Sequence, residues 1–410
     1  MRKINLMPLV AVLASSALLV SGCKSGDAGG ATGGVGDKTI KLGALIDLSG
    51  PFAATGKDFA AGMQMGVNEL NKDGGICDRD VELVIKDHGY DVQKGVLAYD
   101  EVEPSVAMFS SVFGSAITAA LKDKIEADDV LAIPTSYSSF LLGVDNFVLV
   151  GATYDLQAIN GLSWMVDQGM LAKGDTVGEF YLEGELGEDS HQGVVWAAKQ
   201  LGLKVKPYVL KPTDSDVASP VSALRKADAK AIVMATTGAQ VASVAGAGQS
   251  SGLDVPIMGV GPTWNTAMLD TSAGSALEKN FYRAFVSYGL GDRKLPLSME
   301  LTKQYEKSHG GKPALSGSGV VAGYGAVHTS QAVLEKTCDD LSRKAILKAR
   351  SEVEPFDVDG AYPSLDISDP SKSSTTEVLI EKADKSSVDG VKVIEPFFAS
   401  DLVQKYLASK

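Results

Sequence analysis

Residues 40–76 read IKLGALIDLSGPFAATGKDFAAGMQMGVNELNKDGGI. The run TIKLGALID, beginning at Thr39, is apolar and strand-like, and it stops at the turn Leu48-Ser49-Gly50-Pro51. Residues 56–71 then place Phe59, Met63, Val67 and Leu70 at helical spacing and close on Gly74-Gly75. A strand that passes through a short Gly/Pro loop into an amphipathic helix is the repeating unit of parallel α/β sheets.

Outward from this stretch the alternation continues. Strands are expected at 81–86, 106–111 and 130–134, with helices at 92–102 and 116–127. Further strands at 176–182, 204–209, 231–235 and 256–259 alternate with helices at 187–201, 220–227 and 240–251. Two such runs argue for an α/β protein with two parallel-sheet domains; a (β/α)₈ barrel is the competing arrangement. A Gly- and Ala-rich helical stretch covers 314–336 and a second helix 341–349. Short apolar pieces at 377–380 and 391–394 read as edge strands added to a sheet already built.

The chain has 410 residues, 45% apolar and 22% charged, which excludes fibrous, wholly disordered and polytopic membrane proteins. Its formal net charge is −13, a surface that repels phosphate backbones, so no nucleic acid is expected as a partner. Residues 1–22 form a basic start (Arg2, Lys3) and an apolar run that ends at Val20-Ser21-Gly22-Cys23. They read as an export signal, too short and wrongly flanked for a membrane span. Their end resembles a bacterial lipobox, which makes Cys23 the acylated first residue of the mature chain; an ordinary cleaved signal is the alternative. Residues 23–37 are Gly-rich and read as a flexible tether. Cys77 and Cys338 remain, in a compartment where pairing is permitted. A disulfide and two buried thiols are both open at this point.

Ligands of open parallel sheets bind beyond the carboxyl ends of the strands, so the loops there carry the search for chemistry. None holds a catalytic set. No two of the four histidines lie within five residues of each other, and HExxH, CxxC, GxSxG and P-loop patterns are absent. No enzyme, metal or cofactor is therefore expected. The most reactive-looking cluster is Glu183, Glu185, Glu188, Asp189 and His191, either a cation site or simply the acidic first turn of a helix. Tyr137 and Trp264 follow strands directly and either wall a pocket or anchor loops, and Thr237 sits in another strand-end loop. Gly114-Ser115 opens a helix, where free backbone N–H groups beside a hydroxyl make a cradle for a carboxylate.

The 40–76 stretch resembles the opening of type I periplasmic solute-binding proteins, most of all the Leu/Ile/Val-binding branch that serves ABC importers. VELVIKDHGYDVQKGV, FGSAITAAL, LAIPTSYSS and GYGAVHTSQAVLEK continue the likeness through most of residues 38–360. The resemblance implies two doubly wound parallel-sheet lobes joined by a three-segment hinge, lobe 1 being 38–151 with 286–354 and lobe 2 being 152–285 with 355–410. Both Cys77 and Cys338 then fall in lobe 1, each just past a helix end, which favours their pairing. The resemblance places Ser115 and Ser136 at the ligand carboxylate, Tyr137 where a Thr is usual, and Phe52 and Thr55 beside the ligand side chain. The amine half departs from the pattern. Tyr154-Asp155-Leu156-Gln157 is one residue out of step with an Asp–Gln pair, Leu186 stands for a Tyr, and Gly261 for an acid. Asp155 and Glu185 are the remaining candidates for an ammonium.

The sequence thus reads as a monomeric, lipid-anchored receptor on the outer face of a bacterial cytoplasmic membrane. It would capture a small polar ligand, an amino acid or a related carboxylate or amide, by hinge closure and deliver it to an ABC permease of the branched-chain amino acid type. A sensory receptor feeding a membrane signalling partner is the alternative.

Overall fold

The computed structural model describes residues 33–410. The signal peptide, the lipobox Cys23 and most of the tether lie outside the described residues. The tether's final residues do not hang free: Lys41 donates its N–H to the Gly34 carbonyl and Gly36 to that of Thr39, both at 2.8 Å.

The first sheet is built by β1 (Thr39–Ile46), α1 (Ala53–Lys72), β2 (Asp80–Asp87), α2 (Val92–Val102), β3 (Met108–Val112), α3 (Ser115–Ala127) and β4 (Ala132–Pro134). Its order is β2-β1-β3-β4, all parallel. A parallel sheet is covered on both faces, and β1 shows why its sequence is apolar almost throughout. Ile40, Leu42, Ala44 and Ile46 join the larger core with Phe59 and Met63 of α1, whereas Leu45 packs with the α2 and α3 residues Tyr99, Ile117 and Leu121.

The second sheet follows α4 (Tyr154–Asp167). It begins with β5 (Thr176–Leu182), α5 (Glu185–Leu201), β6 (Lys204–Leu210), α6 (Ala218–Lys226), β7 (Ala229–Ala235), α7 (Gly238–Ser251) and β8 (Ile257–Val260). Then come α8 (Gly274–Asn280), β9 (Phe281–Phe285), α9 (Pro296–Ser308), α10 (Gly317–Leu334), α11 (Arg343–Ala349), β10 (Val378–Ala383), β11 (Val391–Phe398) and α12 (Asp401–Leu407). The order is β11-β10-β9-β8-β7-β5-β6. β10 adds antiparallel to the β9 edge of a parallel block and β11 antiparallel to β10, edge strands as the sequence suggested for the tail.

The fold is therefore α/β with parallel-sheet lobes. Several elements had no counterpart in the sequence reading. In α4 every residue from Tyr154 to Met165 is buried, so there is no polar face to generate a helical period. β9, reading FYRAF, carries a charge at its centre that interrupts an apolar run. α8, α9 and α12 escaped notice as well.

Helix α10 lies against α1 at unusually close range. A Cβ on Gly62 would sit 1.9 Å from the Val320 carbonyl oxygen, and one on Gly323 equally close to that of Phe59. Only glycine permits that approach. Cys77 and Cys338, just beyond these two helices, form a disulfide with Cα atoms 5.2 Å apart. The bridge staples the far ends of the α1/α10 pair.

Candidate functional site

Loops from the carboxyl ends of β1, β2, β3, β4 and β8 converge with the first turn of α5, the end of β9 and the N-terminus of α10 on one cavity. It spans about 590 Å³ of space not filled by atoms, part of it open to solvent. Its walls are aromatic: Phe52, Phe59, Tyr90, Phe113, Tyr137, Tyr154, Trp264 and Phe285. The rings brace one another, Phe52 against Tyr90, Phe59 edge-on to Phe113 and Tyr137 edge-on to Tyr154.

One polar end lies at α3. Gly114 precedes it with φ +97°, and a Cβ there would meet the Tyr90 ring at 2.5 Å. Ser136 donates to the Ser115 hydroxyl at 2.8 Å, and the Tyr154 hydroxyl lies 3.4 Å from the same oxygen. Burial pushes the Tyr154 hydroxyl up to about 12, so it stays a neutral donor. The open N–H groups of a helix's first turn, with hydroxyls beside them, receive a carboxylate without any basic side chain.

A second polar feature is Arg283, at the centre of β9. The side chain is 1% exposed and its guanidinium stacks over Phe285 at 4.0 Å. Nε and Nη2 both donate to Glu381 Oε2, at 2.8 and 2.5 Å, and Nη2 also reaches the Ser318 hydroxyl at 3.2 Å. Behind this pair Asp389, from the β10–β11 turn, accepts the Gly317 and Ser318 N–H groups at 2.5 and 3.1 Å. Burial, reinforced by the Glu381 charge and opposed by Arg283, pushes the Asp389 carboxyl up to about 7.

The expected site residues divide. Phe52, Thr55, Ser115, Tyr137, Tyr154 and Trp264 line the cavity, and Ser136 stands one hydrogen bond behind it. Asp155, Glu185 and Thr237 are not in the lining. Asp155 is buried and accepts from the Thr153 hydroxyl, the Leu156 N–H and, at 2.9 Å, Lys410 Nζ, so its ammonium comes from this chain. Glu185 turns to Ser138, and burial raises its pKa. Thr237 closes a capping box with Gln240 at the start of α7. Leu186, one residue beyond Glu185, is what the cavity sees.

The acidic cluster is structural. Asp189 accepts the Ser139 N–H at 2.9 Å and the Ser139 hydroxyl, joining α5 to the loop after β4. His191 pairs with Glu179 at 2.7 Å. The sequence reading missed Phe59, Tyr90, Phe113, Phe285 and Arg283. The phenylalanines are indistinguishable from core residues in sequence, whereas a lone Arg inside FYRAF is a signal, because a buried charge demands a partner.

Residues 39–386 match the family described as periplasmic binding protein. The chain belongs to that family. This places the protein among extracytoplasmic ligand-binding proteins and not among enzymes. A solved structure titled fatty acid ABC transporter substrate-binding protein, from Thermomonospora curvata, is 36% identical with a TM-score of 0.87; the alignment covers 91% of this chain and 96% of that one. A branched-chain amino acid ABC transporter structure from Thermus thermophilus with bound valine has a TM-score of 0.79 at 17% identity, over 91% of this chain and 99% of that one, a likeness of fold alone. A leucine-, isoleucine-, valine-, threonine- and alanine-binding protein of Pseudomonas aeruginosa is 25% identical over 242 residues, 58% of this chain. That match spans 65% of the relative's own length.

Proposed function

We propose that this periplasmic binding protein is the receptor of an ABC importer for monocarboxylates with a bulky apolar body, of the fatty-acid or arylalkanoic kind. The observation that carries the reading is the cavity lining: eight aromatic side chains, hydroxyls and one Arg, with no carboxylate among them to meet an ammonium. An α-amino acid needs its ammonium desolvated and paired, and an unpaired buried charge is severely disfavoured. A carboxylate head suits the α3 N-terminus with Ser115, Ser136 and Tyr154, while Phe52, Thr55, Tyr137 and Trp264 surround the body. The fatty-acid title of the 36% identical structure supports the same class.

The mechanism is hinge closure between lobe 1 (38–151 with 286–354) and lobe 2 (152–285 with 355–410). Gly151 lies against Val286, so two of the three crossings run side by side. Ser139 with Asp189, and Asp389 with the α10 N-terminus, are contacts that would join the two proposed lobes. A ligand touching both lobes would bind the closed arrangement better and shift the population toward it. The mature chain would be held to the membrane as a monomer through acylated Cys23 and present its closed face to the permease.

Mass spectrometry of small molecules released from the denatured protein tests the ligand class, followed by calorimetric titration with octanoate, 4-phenylbutanoate and leucine. Binding of both acids without leucine is expected, with a more compact molecule by scattering. Leucine binding with indifference to the acids would refute it.

A further inference from the structure

Arg283 is more than a strut of the core. Its Nε and Nη2 are occupied by Glu381 and Ser318, but Nη1 donates to no group among the described residues, although the side chain is 1% exposed and borders the cavity. The Tyr137 hydroxyl is in the same condition: the residue is 6% exposed, lines the same cavity and has no hydrogen-bond partner among the described residues. Burial raises the Tyr137 pKa well above its usual value, with the Arg283 charge pulling the other way, so the hydroxyl is a neutral donor within the guanidinium's field. Both residues line the cavity, so a ligand oxygen there can take the donors that the protein leaves without a partner.

We propose that Arg283 Nη1 and the Tyr137 hydroxyl form a second polar anchor that reads an uncharged oxygen on the ligand's body, which makes the preferred ligands oxo- or hydroxy-substituted monocarboxylates. This rests on the monocarboxylate reading above and narrows it.

The charge balance decides against a second carboxylate at this point. The guanidinium is already matched by Glu381, and Asp389 lies just behind, where burial and then the Glu381 charge hold its proton more tightly. Another anion would place two full charges and a third carboxyl around one buried cation. A ketone or hydroxyl oxygen takes the free N–H at no such electrostatic cost. It also leaves the α3 N-terminus free for the carboxylate head.

The test uses the intact mature protein and a positional series: octanoate, and octanoates bearing one oxo group at successive carbons from C4 to C7. Calorimetry reads the ratio of affinities. One position should bind about tenfold or more tightly than octanoate, as expected where a site's own donors are otherwise left unpaired. The double variant Arg283→Met/Glu381→Leu removes the ion pair together, so no lone charge is stranded. Whatever its overall affinity, its oxo-to-octanoate ratio should fall to about one. If octanoate binds the wild-type protein as well as every oxo acid, the second anchor is wrong and the monocarboxylate reading stands. If the variant loses octanoate and oxo acids by the same factor, the ratio persists and Arg283 is a head-group ligand, which also overturns the proposal. Binding of no acid at all overturns both. The wild-type series decides the matter alone if the variant does not fold.

Discussion

Asp389→Asn isolates a proton-linked contact between the β10–β11 turn and the start of α10. The carboxylate is wholly buried, caps α10 through Gly317 and Ser318, and has its pKa raised from 3.8 to about 7 by burial and by Glu381. A carboxyl that holds its proton more tightly folded than unfolded weighs against the folded state only when ionised. That penalty is absent below about pH 4, grows as pH rises and is complete above about pH 7. A shift from 3.8 to about 7 corresponds to roughly 4 kcal/mol at the high-pH limit, more than half of it developing between pH 5 and pH 8. Asn carries no charge at either pH, although it replaces one acceptor facing α10 with a donor. Urea unfolding of both proteins at pH 5 and pH 8 therefore reads a difference of differences. The wild type should lose ~2–3 kcal/mol more than Asp389→Asn on going to pH 8. Asp189, whose carboxyl burial also raises, titrates in both proteins and cancels. Parallel pH dependences in the two proteins would refute the reasoning.

Four further outcomes follow from the same geometry. Glu381→Gln alone strands the Arg283 charge and should destabilise by about 3–5 kcal/mol in denaturant unfolding, whereas Arg283→Met/Glu381→Leu should come much nearer to the wild type. Gly114→Ala places a methyl 2.5 Å from the Tyr90 ring at φ +97°, so octanoate affinity by calorimetry should fall at least about tenfold. Reducing Cys77–Cys338, or Cys338→Ser, removes a link across 261 residues and should lower stability by about 2–5 kcal/mol, measured as a shift in the thermal midpoint with and without reductant. Lys410→Met leaves Asp155 buried without its ammonium, and the thermal midpoint should fall more at pH 8 than at pH 5, where protonation of the neighbouring Asp189 removes the like charge beside it.

Much of the architecture was legible along the chain because it rests on local, periodic signals. Strand β1, helix α1 and the alternation through β8 each announce themselves by apolar spacing and by Gly or Pro at the turns. Ser115 was legible for the same reason, since Gly114-Ser115 opens a helix and exposes its first N–H groups. The failures share a different cause. α4 is buried on every side and shows no period, and β9 hides its strand character behind Arg283. Asp155 looked free to meet a ligand ammonium, but Lys410, 255 residues later, already holds it.

The sequence by itself determined the class of the protein: an exported α/β chain of strand–loop–helix units, with ligand contacts at the strand ends and no catalytic or metal-binding set. Local patterns suffice for that, because burial periodicity and turn chemistry act over a few residues. The tertiary structure alone decided the character of the cavity. Whether Phe59, Phe113 and Phe285 are core or cavity wall depends on which faces of two lobes meet. Whether a carboxylate is available to a ligand depends on whether a distant Lys, Arg or helix N-terminus has already neutralised it. Charge compensation and cavity shape are long-range properties, and they gave the cavity its aromatic walls and left one guanidinium N–H without a partner among the described residues.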